Sequence, residues 1–118
     1  MTKTFFDSLP QVLSDNNDGS ITYRWNIEQV DEESWSSNEV IVWKPISRRK
    51  ITKAVITSIW DVDVEQKLIN DFNATNLSLF SEDENDDAIS AYMSFLTERK
   101  NIKEMIKNDC KLLDIKEE

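Results

Sequence analysis

The hydrophobic residues of this chain change period once, and that change restricts what the chain can fold into. Ile21, Tyr23, Trp25 and Ile27 alternate with Thr22, Arg24, Asn26 and Glu28, a period of two that marks a half-buried strand. Glu39–Lys44 is a second strand, apolar at both parities, and Pro45 ends it. From about residue 48 onward the spacing becomes three and four. Ile51, Ala54, Val55 and Ile59 give an amphipathic helix over about 48–60. Val64, Leu68, Ile69 and Phe72 give a second over about 64–74, with Asp63 as its N-cap. Leu77, Leu79 and Phe80 pack the connection that follows. Ser81–Glu84 has the S-x-x-E form of a capping box. It opens the longest helix, in which Ile89, Tyr92, Phe95, Ile102, Ile106 and Cys110 keep a helical period. The fold class expected is α+β: an N-terminal antiparallel β-hairpin packed against about three α-helices, the C-terminal one longest.

The 118 residues suit one domain. It divides into an N-terminal arm and turn (1–19), the hairpin (20–45) and a helical part (47–114). In the arm, Phe5, Leu9 and Leu13 form an i, i+4, i+8 stripe. Pro10 lies inside it and limits it to a turn or an extended arm. Ser14–Ser20 is a loop centred on Asp18-Gly19, since glycine accepts positive φ. Asp31–Asn38 reads as a long polar connection between the strands, with Trp35 exposed in it.

Composition excludes several chemistries. With no His there is no imidazole for a triad, a proton shuttle or a metal site. One Gly cannot write a phosphate-cradling glycine loop. One Cys, Cys110, allows no intrachain disulfide. It lies on an apolar helix face without an activating base, so it reads as a buried structural thiol. No apolar run approaches the roughly 20 residues that span a bilayer. The opening residues lack an export signal's apolar stretch, and a cytoplasmic protein is expected, in a host cell or in a virion made there.

Three acidic groupings bear on function. Ser14–Trp25 echoes a calcium loop but has Trp25 where a bidentate Glu is required. Asp61, Asp63 and Glu65 would share one face of an extended segment and hold a divalent ion. At a helix start they simply suit the dipole, which the helical continuation favours. Glu82, Asp83, Glu84, Asp86 and Asp87 place five acids in six positions. They form either a solvated helix start or an anionic surface that meets a basic partner. No catalytic, cofactor or metal-binding residue is assigned. The formal charge of −9 disfavours direct binding to nucleic-acid phosphates over most of the surface. Arg48, Arg49, Lys50 and Lys53, and then Arg99, Lys100, Lys103, Lys107 and Lys111, read as wet helix faces.

Lys67–Ala74 (KLINDFNA) and Tyr92–Lys100 (YMSFLTERK) resemble small phage and prophage proteins of gut Bacteroidales. The resemblance spans roughly residues 40–112 and implies a virion component or accessory protein. The expected function is a non-enzymatic protein–protein interaction module of phage type, structural or in assembly. It would contact virion proteins or itself through Phe5, Phe6 and Trp35. The alternative is an acidic nucleic-acid mimic that inhibits a host nuclease or defence complex through Glu82–Asp87.

Overall fold

The computed structural model describes residues 1–77, 79 and 81–118. Among these, four strands precede three helices: β1 Thr2–Phe6, β2 Leu13–Asp15, β3 Ser20–Asp31, β4 Ser34–Trp43, α1 Arg48–Ile59, α2 Val62–Asn76 and α3 Glu82–Leu112. The strands form one antiparallel sheet in the order β1-β4-β3-β2. The α+β class stands, but the expected hairpin is the middle of a four-stranded sheet. A lone hairpin leaves both outer edges unpaired and is marginal in water. Here residues from the expected arm occupy both edges.

The stripe Phe5–Leu9–Leu13 is therefore not helical. Thr2–Phe6 pairs with β4 in a register running from Thr2 opposite Glu39 to Phe6 opposite Trp35. The long connection is also corrected. β3 and β4 run on to Asp31 opposite Ser34, leaving Glu32 and Glu33 as the turn. The Asp31 carboxylate accepts from the Glu33 N–H at 2.9 Å. Ser36–Asn38 extends despite its polarity because β1 and β3 flank it. A bulge follows Trp25, where Asn26 has φ 52°. The extra residue takes Ile27 out of phase, and Glu28 stands opposite Ser36 instead.

Directly opposed residues share a face of the sheet. Ile21, Tyr23, Trp25 and Val42 line the inner face and are buried with Ile51 and Val55 of α1 and Ile106 and Cys110 of α3. Each such aliphatic side chain contributes about 1.5–3 kcal/mol by leaving water. Tyr23 Oη donates to Asp109 Oδ2 at 2.5 Å, tying β3 to the last turns of α3. The opposite, outer face of the sheet carries Phe6, Trp35, Ile41, Trp43, Arg24 and Glu39.

α1 matches the expected helix closely. Ser47 caps it, its Oγ accepting from Lys50 N–H at 3.1 Å. α2 starts earlier than expected, because Asp61 rather than Asp63 is its N-cap, accepting from Val64 N–H at 2.9 Å. Asp63 and Glu65 sit in the first turn. The capping box of α3 is present: Ser81 Oγ accepts from Glu84 N–H, and the Glu84 carboxylate accepts from Ser81 N–H. α3 then runs unbroken for 31 residues.

α2 buries none of its residues. Phe72 stacks on Tyr92 at 4.5 Å, and Tyr92 and Trp60 both meet Phe95. These rings hold α2 against the first half of α3 as an arm beyond the sheet. The radius of gyration is 17.5 Å, against about 13–14 Å for a compact chain of this length. Leu77 is the C-cap of α2 and Leu79 follows it, and both are exposed rather than packed; Phe80 falls outside the described residues.

A Schellman motif ends α3. Asp114 has φ 54°, its N–H bonds Lys111 O, and Ile115 N–H bonds Cys110 O at 2.8 Å. The chain reverses there, and the Lys116 and Glu117 carbonyls accept from the first two N–H groups of α1, at Arg48 and Arg49.

Candidate functional site

β1 pairs with Trp35–Glu39, and among the described residues no strand pairs with the outer edge of Val40–Trp43. Ile41 and Trp43 project from this stretch on the outer face and are 61% and 59% exposed. A groove of about 410 Å³ runs alongside, lined by Ile41, Trp43, Lys50, Ala54 and Thr57 among others. The Lys50 ammonium donates to the carbonyls of Trp43 and Pro45, fastening α1 to the end of β4. An unpaired strand edge beside apolar side chains is the arrangement that accepts an added strand.

The expected contact residues divide. Phe5 is 64% exposed on the edge strand β1. Phe6 and Trp35 are cross-strand neighbours on the outer face and are half-buried, so Trp35 is a strand residue, not a loop anchor. The Arg24 guanidinium lies 5.1 Å from the centre of the Phe6 ring. It also bonds Glu39 at 3.1 Å and Ser14 at 2.7 Å. Trp35 therefore joins a row along β4 that ends in Ile41 and Trp43. In the sequence nothing sets Trp43 apart from the buried side chains of its strand, because both parities are apolar, and the extent of β1 that leaves it exposed is not written in β4.

The five acids at the start of α3 also separate. Glu84 is spent in the capping box. Glu82, Asp83, Asp86 and Asp87 are exposed, and none has an ion-pair partner among the described residues.

Two basic clusters distant in sequence meet in space. Arg48, Arg49 and Lys53 of α1 face Arg99, Lys100, Lys103 and Lys107 of α3 across two adjoining depressions of about 440 and 530 Å³. Arg48 pairs with Glu117 at 2.9 Å and Arg99 with Glu65 at 3.5 Å. Among the described residues the other five cations have no carboxylate within ion-pair distance. Half of the chain's 14 Lys and Arg thus line these two depressions, together with Glu65, Glu104, Glu117 and Glu118. Sequence spacing shows each cluster as a wet face. Only the packing of α1 on α3 shows them as opposite walls.

The remaining groupings are occupied by structure. Asp15 accepts from Asn17 N–H and pairs with Lys44 at 2.6 Å; Asp18 accepts from Ser20 N–H and from Ser20 Oγ. The Lys44 ammonium holds the Asp15 carboxyl below its usual value, and the Ser20 hydroxyl does the same for Asp18. Both carboxylates thus serve the turn at Gly19, which has φ +92°. No group of three potential metal ligands occurs among the described residues. Cys110 is buried, and burial pushes its thiol above the usual value, away from the reactive thiolate. No helix among the described residues is long and apolar enough to cross a membrane.

No protein-family model, curated protein or solved structure matches the chain.

Proposed function

We propose that this chain is a non-enzymatic protein–protein interaction module, a structural or assembly/accessory subunit of phage type. It acts in the host cytoplasm or in the virion and binds a protein partner through the uncovered end of β4. One observation carries this reading: among the described residues the outer edge of Val40–Trp43 is unpaired, with Ile41 and Trp43 exposed beside an apolar groove. Large aromatic anchors with one wet side are typical of binding hot spots. An incoming strand would gain ladder hydrogen bonds from the edge and seat side chains in the groove.

The test replaces Trp43 by a photo-crosslinking phenylalanine analogue in phage-producing cells. The expected result is an adduct with a virion protein. Adducts from an equivalent probe at exposed Lys111, and none from position 43, would refute the assignment of the surface.

A second reading is favoured by the exposure of Glu82, Asp83, Asp86 and Asp87 on adjoining turns. In it the acids imitate phosphates and inhibit a host nuclease or defence complex. Reversing these four charges then abolishes inhibition without changing the helix content; inhibition that survives the reversal eliminates the reading.

A further inference from the structure

One row of exposed residues runs the length of α3 at alternating spacings of four and three. It begins acidic, with Glu82 and Asp86. It continues apolar through Ile89, Met93 and Leu96, which are 37%, 62% and 44% exposed. It ends basic, with Lys100, Lys103 and Lys107, all exposed. This is the a/d spacing of a coiled-coil seam. The core-facing residues Phe95, Ile106 and Cys110 lie on a different face of the helix. Neither α2 nor the sheet covers the row.

The row is self-complementary when reversed. Laid antiparallel on a copy of itself, with the two-fold axis between Ser94 and Phe95, Glu82 falls opposite Lys107 and Asp86 opposite Lys103. Ile89 falls opposite Lys100, whose methylene stem covers it while its ammonium reaches water. Met93 falls opposite Leu96 at the centre. A parallel arrangement would set like charges against each other at both ends. From the sequence and structure of α3 we infer that a second copy of this chain docks antiparallel along the helix, forming an isologous two-fold interface.

The groove described above takes part. The depression beside Leu96, Lys100, Lys103 and Lys107 is walled by Arg48 and Thr52 of α1, and its lining of five cations holds one carboxylate, Glu104. It receives the first turns of the partner's α3, where the acids are. The paired stretch is about 38 Å long at 1.5 Å per residue. This also explains why the acids and the lysines sit at opposite ends of one helix. The separation keeps each group from its own complement and offers it to another copy. The inference rests on the chain being an interaction module and gives it a partner different from the one at β4.

Sedimentation velocity of the full chain tests it, at about 0.15 M salt, where the repulsion between two acidic bodies is screened beyond about 8 Å. The wild type should dimerise. Reversing the basic end (K100E/K103E/K107E) or the acidic end (E82K/D86K) should each weaken dimerisation at least tenfold, with unchanged circular dichroism. Mixing the two variants should restore a 1:1 heterodimer, because every end pair is again opposite in sign. The rescue separates a lost interface from a lost fold. A wild type that stays monomeric up to about 100 µM overturns the inference. So does a dimer that both reversals leave intact. The β4 site is tested independently: a monomer that still crosslinks through position 43 removes the dimer alone.

Discussion

Replacing Tyr23 by Phe removes one oxygen and leaves the ring, its burial and its stack on Trp25, 6.0 Å away, in place. The lost hydrogen bond to Asp109 measures 2.5 Å and spans 86 residues of sequence. Bonds to charged acceptors contribute about 1.5–3 kcal/mol. Asp109 is only half-buried and regains water in the variant, so the lower end applies: about 1.5 kcal/mol, or roughly 4–9 °C in Tm for a domain of this size. The pH dependence identifies the cause. Burial first, then the hydrogen bond and charge of Asp109, push the Tyr23 phenol far above its ordinary 10.0. Below that value both folded and unfolded chains hold the proton, and the bond contributes fully. Above it the unfolded chain releases a proton that the folded chain keeps, so stability falls by about 1.4 kcal/mol per pH unit. Tyr23→Phe has no such term. Urea unfolding followed by tryptophan fluorescence should give a gap of about 1.5 kcal/mol from pH 7 to 9, closing to near zero by about pH 11. A gap that stays constant to pH 11, or is below about 0.5 kcal/mol at pH 7, refutes the argument.

Two further substitutions probe the ends of α3. Asp114→Gly relieves the left-handed conformation at φ 54° and should stabilise by about 1 kcal/mol, read as a higher Tm; an unchanged Tm counts against strain there. Ser81→Ala removes the capping box and should cost about 1 kcal/mol. Faster amide exchange at Glu84 should accompany that loss, and unchanged exchange would show that the cap contributes nothing.

The helices were legible because their apolar residues face a single core. Ile51 and Val55, or Ile102 and Ile106, keep a helical period wherever the sheet lies. β1 was not legible. Phe5, Leu9 and Leu13 imitate a helical stripe, and Thr2–Phe6 extends because β4 offers it a ladder. The same pairing turned Ser36–Asn38 into strand against its polarity. Among the contact candidates, the exposure of Phe5 could be anticipated, but the half-burial of Trp35 depended on Phe6 arriving opposite it. The basic groove needed two clusters about fifty residues apart to be packed together. The seam on α3 was present in the sequence throughout. Its lysines read as a wet face and Ile89 as part of the buried period, until the structure left Ile89, Met93 and Leu96 uncovered.

The bond between Tyr23 and Asp109 also sets a schedule. The sheet's inner face is synthesised first, whereas Ile106, Asp109 and Cys110, which cover it, follow later, Asp109 coming 86 residues after Tyr23. At 5–20 residues per second the interval between Tyr23 and Asp109 lasts roughly 4–17 s, far longer than the microseconds in which a hairpin forms. During those seconds Ile21, Tyr23, Trp25 and Val42 have only α1 to shield them. Until α3 closes over it, the sheet therefore carries an apolar face that only half of its eventual cover protects.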